Sequence, residues 1–130
     1  MVIDSSAIVA LLFNEPEADR IEIAIERDPV RFVSAATWSE AAIVVESHFR
    51  EGGAEVFDAL IRRTGMEIVS VEIDQSETAR MAYRRWGKGH HPASLNFGDC
   101  FAYALSKVSG EPLLFKGDDF GQTDVDRVDY

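Results

Sequence analysis

Asp99 lies in the run Leu95-Asn96-Phe97-Gly98-Asp99-Cys100-Phe101-Ala102-Tyr103-Ala104-Leu105, which carries no other charge. A carboxylate in such surroundings has a desolvation cost unless it is paired or binds a cation. It either favours the positive N-terminal end of its helix or belongs to a functional site. Asp4 directly follows the apolar Val2-Ile3 and either caps the next helix or serves as a ligand. Glu40 closes Thr37-Trp38-Ser39-Glu40, which matches a capping box, yet a side chain on a first helical turn can also point inward. Asp118 and Asp119 follow Leu113-Leu114-Phe115, at a place where an Asp-rich turn is common. These acids are distant in sequence but sit on elements that can converge. Converged carboxylates repel one another unless cations neutralise them. Oxygen ligands suit Mg²⁺ or Mn²⁺, and the histidines and the single cysteine form no cluster of the kind zinc uses.

A second group is basic. Arg80, Arg84, Arg85 and Lys88 fall between Thr78 and Gly98, a stretch with no acid, and Tyr83, Trp86 and Phe97 are interleaved with them. Such a segment either contacts nucleic-acid phosphates and stacks a base, or is the solvated outer face of an amphipathic helix. His90 and His91 read as loop surface, His48 as a helix-face residue, and Cys100 as a small core residue.

The elements that must position these side chains follow from periodicity and punctuation. Met1-Val2-Ile3 reads as a buried strand, and Ser5 and Ser6 can cap a helix over Ala7 to Phe13. Pro16 suits the first turn of a second helix with Ala18, Ile21, Ala24 and Ile25 on one face. Arg31 to Ser34 reads as the next strand. Thr37 opens a helix with Trp38, Ala41, Ala42, Val45 and Phe49 on its apolar side, and Gly52-Gly53 ends it. Val56, Phe57, Leu60 and Ile61 mark another helix. Glu67 to Ile73 alternates as a third strand should, and Asp74 with Glu77 matches a capping box for a helix to Trp86. After a loop from Gly87 to Pro92, Phe97 to Val108 is helical, Gly110 is its cap, and Leu113 to Phe115 is the fourth strand. Strands separated by helices, without tight hairpins, predict an α/β domain with a central, mainly parallel sheet flanked by helices. In such sheets, sites form beside the carboxyl ends of the strands, where these acids fall.

The chain of 130 residues fits one domain, and its 46% hydrophobic and 28% charged residues are ordinary globular composition. No apolar run approaches the roughly 20 residues of a membrane span, and no signal peptide is visible, so the expected location is the cytosol. Thirteen Lys and Arg against 23 Asp and Glu give a net charge of −10. That balance argues against a charge-driven nucleic-acid binder. It leaves room for a nucleic-acid enzyme, because bound metals invert the field of an acidic cluster.

At these residues the sequence resembles the PIN-domain ribonucleases, specifically VapC-type toxins of type II toxin–antitoxin systems. The matching pieces are Val2-Ile3-Asp4-Ser5-Ser6-Ala7, Ser39-Glu40, Leu95-Asn96-Phe97-Gly98-Asp99-Cys100 and Leu113-Leu114-Phe115-Lys116-Gly117-Asp118-Asp119-Phe120. The resemblance covers essentially the whole chain and implies a single PIN-like three-layer domain over residues 1–130. It implies that Asp4, Glu40 and Asp99 line a Mg²⁺ pocket, with Asp4 and Asp99 as metal ligands and Ser6 as a supporting hydroxyl. Many relatives have an Asp where this chain has Gly117, so Asp119, or else Asp118, would take the fourth position. That departure leaves the number of metals open. The implied activity is metal-dependent endonucleolytic hydrolysis of RNA, giving 5′-phosphate and 3′-hydroxyl ends. The implied partners are an RNA substrate, a cognate VapB-like antitoxin that masks the pocket, and a second copy in a homodimer, with no membrane.

Two other classes remain open from the residues alone. A phosphoryl-transfer domain using Asp4 also gathers acids at strand ends, and Lys116 would suit it, but a paired early acid is missing. A non-catalytic acidic α/β module would use the same surface to bind a basic partner.

Overall fold

The computed structural model describes residues 1–130. Its elements are β1 (Val2–Ile3), α1 (Ser5–Leu12), α2 (Ala18–Arg27), β2 (Phe32–Ser34), α3 (Ala35–Phe49) and α4 (Gly53–Thr64). These are followed by β3 (Glu67–Val69), α5 (Ile73–Trp86), α6 (Phe97–Ser109), β4 (Leu113–Leu114) and a 3₁₀ turn over Phe120–Gln122. The sheet is parallel throughout, in the order β3-β2-β1-β4. The chain therefore builds outward from β1 on one side and returns to its other side with β4. The crevice at such a reversal, beyond the carboxyl ends of β1 and β4, is where α/β sheets place their ligands.

Strand alternation divides the core between the two faces of the sheet. Ile3 and Leu114 pack with Ile8, Ile21, Ile25, Val45 and Phe57 from α1 to α4. Val2 and Leu113 pack with Ala82, Trp86, Tyr103 and Leu105 from α5 and α6. The result is the expected three-layer arrangement. Ile21 and Ile25 show why α2 forms: they are buried on one face while Asp19, Arg20 and Glu22 point elsewhere. Each such burial contributes about 1.5–3 kcal/mol.

Several boundaries differ from the sequence expectation, each for a physical reason. α3 begins at Ala35, directly after Ser34 ends β2, because two alanines continue the chain as helix without a separate cap. Thr37 is consequently inside the helix and fully buried, and Thr37 and Glu40 do not form a capping box. β3 stops at Val69, and α5 starts at Ile73 with Glu72 at its N-cap. Asp74 lies in the first turn and accepts from the Gln75 backbone N–H rather than closing a capping box. Pro16 sits in the turn before α2, whose N-cap is Glu17. α3 ends at Phe49 with Arg50 as its C-cap, where φ is +55°, ahead of the two glycines, and Gly52 serves as the N-cap of α4. No helix is long and apolar enough to cross a membrane.

Candidate active site

Asp4 leaves β1 in extended conformation and becomes the N-cap of α1. Its Oδ2 accepts from the Ser6 backbone N–H at 2.9 Å and from the Ser6 hydroxyl at 2.6 Å. Ser6 Oγ in turn accepts from the Lys116 backbone N–H at 2.9 Å. The hydroxyl thus links the start of α1 to the loop after β4 and fixes the carboxylate's rotation. One oxygen of Asp4 caps the helix, while Oδ1 is buried with no hydrogen-bond partner.

Asp99 behaves in the same two-sided way. Asn96 caps α6 by accepting from the Asp99 N–H at 2.9 Å, and Asp99 Oδ2 accepts from the Asn96 N–H at 2.7 Å. This reciprocal box uses one Asp99 oxygen and leaves Oδ1 outside it. Glu40, on the second turn of α3, points toward these acids, and its Oε2 is buried without a partner. Asp119 is exposed at the head of the 3₁₀ turn.

Electrostatics ties the side chains together. Burial raises the Asp4 carboxyl above its ordinary range, Ser6 opposes the rise, and the Glu40 charge adds to it. Burial likewise raises Glu40, with the Ser5 hydroxyl opposing and the Asp99 charge adding. Asp99 is pushed up to about 6 by burial, against its bond from Asn96, with the charges of Asp4 and Asp119 adding. Each acid therefore feels the next, and none of Asp4, Glu40 and Asp99 is ion-paired with a Lys or Arg side chain. The Lys116 ammonium is engaged by Glu15 and by Glu17 instead of by Asp4.

Buried carboxylate oxygens without donors are what a hard divalent cation requires. No three His, Cys, Asp or Glu side chains form a ready-made cage. Mg²⁺ does not need one, since it keeps several waters and takes only one or two carboxylates. The donor set therefore fits Mg²⁺ or Mn²⁺.

The acids expected from sequence are thus brought together, with one distinction. Asp119 is the residue whose charge reaches Asp99. Asp118 lines a separate groove with Glu17, Arg20, Lys116, Arg127 and Tyr130. Gly117, where φ is +104°, makes the turn that leads into both of them. The basic residues do not act as one patch. Arg85 pairs with Asp124 and lies over the Trp86 ring, on the side of α5 facing Tyr103 and Lys107. Arg80 borders a slot with Tyr83, Phe97, Cys100 and Phe101, beside the α6 turn that carries Asp99. Arg84 and Lys88 are exposed. Cys100 is buried, with its thiol pushed up to about 11 by burial, and its Sγ donates to the Asn96 carbonyl.

Sequence reasoning missed the capping role of Asn96, although the spacing Asn96-x-x-Asp99 carried that signal. It also missed Ser5 beside Glu40 and the Lys116 backbone N–H on Ser6. Nothing local could have revealed those two.

Comparison with known proteins gives a consistent picture. The PIN domain family model matches residues 1–126. A Ribonuclease VapC of Mycolicibacterium smegmatis is 55% identical over 128 residues, 98% of this chain and 99% of that protein. Ribonuclease VapC30 of Mycobacterium tuberculosis is 51% identical over 128 residues, 98% of each chain. Among solved structures, VapC20 of Mycobacterium tuberculosis, described as a sarcin–ricin loop cleaving toxin, superposes with a TM-score of 0.79 at 18% identity. That match covers 98% of this chain and 97% of the other. A toxin–antitoxin complex from Klebsiella pneumoniae gives a TM-score of 0.69 at 18% identity, over 95% and 92% of the two chains. These two structures share the fold.

Proposed function

This chain belongs to the PIN-domain family, among its VapC-type members, and from that premise we propose that it is a metal-dependent endoribonuclease, the toxin of a toxin–antitoxin pair. The observation that carries the reading is the pair of buried, unpartnered oxygens, Asp4 Oδ1 and Glu40 Oε2, beside Asp99 at the sheet's switch point. Residues 1–130 act as one domain in this reading, located in the cytoplasm.

Asp4 and Asp99 would hold Mg²⁺ or Mn²⁺ through the oxygens their capping bonds leave over. When bound, the ion supplies charge neutralisation among the acids and Lewis-acid activation at neutral pH. Ser6 keeps Asp4 in the rotation that presents Oδ1. Glu40 orients the attacking water and accepts its proton, a role suited to a carboxyl whose proton affinity is already raised. Water adds to phosphorus as the 3′ oxygen leaves, so the products carry a 5′-phosphate and a 3′-hydroxyl. Asp119, at the exposed end, completes the acidic set, and Asp118 has no direct part. Arg80 receives an RNA phosphate beside the site, with Arg84 and Lys88 extending the positive track; Arg85 is committed to Asp124.

A VapB-like antitoxin would mask the acids, and a second copy of the chain completes a homodimer. Exposed Ile43 and Phe97, which line an apolar groove that includes Glu40, support protein contacts near the site. The test is cleavage of total cellular RNA by partner-free protein with Mg²⁺ or EDTA, alongside Asp99→Asn. Discrete, metal-requiring cuts that vanish in the variant are expected. Absence of cutting by folded, metal-loaded protein would overturn the reading.

A further inference from the structure

No hydrogen bond holds Glu40 Oε2, so apart from the Ser5 hydroxyl its position among the acids depends on the walls around it. One wall is Gly98, on the first turn of α6. A Cβ added there would lie 2.6 Å from Glu40 Cδ and closer still to both carboxylate oxygens. Gly98 is not among the residues with positive φ, so the backbone itself would accept any side chain. Alanine is also the better helix former at such a position. What position 98 requires is empty space, and the Glu40 carboxylate occupies it.

We infer that Gly98 is a positioning residue for Glu40, its missing side chain being the seat that keeps the carboxylate among Asp4 and Asp99. The inference rests on the reading of Glu40 as part of the metal-dependent site. A methyl group at 98 meets the far end of a flexible side chain rather than backbone, so the carboxylate swings out while α3 and α6 stay packed. Function and stability should therefore separate at this one residue.

The experiment compares wild type, Gly98→Ala, Glu40→Gln, the double variant, and Gly98→Ala with Glu40→Asp. Three quantities are read: the metal-free melting temperature, Mn²⁺ affinity by electron paramagnetic resonance, and RNA cleavage. Gly98→Ala should melt at or above wild type yet bind Mn²⁺ about 10- to 100-fold more weakly, with a similar loss of cleavage. Adding Gly98→Ala to Glu40→Gln should cost nothing further, because the group it displaces is already disabled. The shorter Asp at position 40 should recover part of the loss. Wild-type behaviour of Gly98→Ala, a loss that adds to that of Glu40→Gln, or a crystal structure of Gly98→Ala with Glu40 in its original place would each overturn the assignment. Wild type that binds Mn²⁺ but cuts no RNA would instead overturn the ribonuclease reading, with the Mn²⁺ series still deciding Gly98.

Discussion

Two carboxylates beside α6 meet opposite fates. Asp99 is buried among other acids, with its charged form disfavoured. Asp124 accepts from the Tyr103 hydroxyl at 2.6 Å and is flanked by Arg85 and Lys107. The Tyr103 bond, aided by those two cations, holds Asp124 below the usual carboxylate range against a small opposing effect of desolvation. Both residues are aspartates near the same helix, yet one is satisfied by the protein and the other is left wanting a cation. Satisfied charge ties the tail to α5 and α6; unsatisfied charge marks the place where the proposed metal would bind.

The sharpest way to break this contrast is substitution of each member. Asp99→Asn should abolish cleavage, a loss beyond the roughly 10²-fold expected for Glu40→Gln. Asp124→Asn should leave cleavage per folded molecule unchanged. Single-turnover assays on the variants would check both, and cleavage dependent on Asp124 would erase the distinction.

Metal should stabilise one region and not the other. Mn²⁺ at about 100 times its dissociation constant raises unfolding free energy by about 2.7 kcal/mol. Denaturant titration should show that gain in wild type and in Asp124→Asn, and its loss in Asp99→Asn.

The pH dependence without metal follows from the signs of the shifts. A carboxyl whose folded-state proton affinity is raised contributes stability below its unfolded pKa, lost as pH rises through the folded value. For Asp99 that window runs from 3.8 to about 6, and Asp4 and Glu40 act in the same direction. Asp124, lowered, contributes above its unfolded value and loses this as pH falls further. Metal-free protein should therefore be more stable at about pH 5 than at about pH 7.5, with divalent metal removing the difference. Thermal melts across pH would show it, and metal-free stability that rises toward neutrality would contradict the site's electrostatics.

Smaller effects sharpen the comparison. Tyr103→Phe should destabilise by about 1 kcal/mol through loss of the bond to Asp124, without touching metal affinity. Arg80→Ala should reduce the logarithmic salt slope of RNA binding by about 0.7, as loss of one single-strand phosphate contact does. Arg85→Ala should leave that slope unchanged, because its guanidinium is already engaged by Asp124.

Much of the site was legible because burying charge is expensive and therefore conspicuous. Asp99 stood out against an apolar run, and Asp4 against the strand before it. The basic stretch was legible as a group but not as a site. Which of its arginines faces the acids depends on the rotation of α5 against α6, and that is decided by what packs between the helices. Glu40 was read through a capping box that the protein does not form. Local pattern could not show that Ala35 and Ala36 would begin the helix earlier.

From the sequence alone came the alternation of strands and helices, the parallel sheet, and the identity of the acids. These depend on periodicity, propensity and the cost of lone charges, all properties of short segments. Only the tertiary structure decided that β4 returns beside β1, bringing the Lys116 N–H onto Ser6 and Asp119 toward Asp99. It alone decided that Asp118 faces another groove, that Asn96 occupies one Asp99 oxygen, and that Gly98 leaves room for Glu40. Each is a contact between segments far apart in the chain, set by how layers pack, and no short window of residues contains that information.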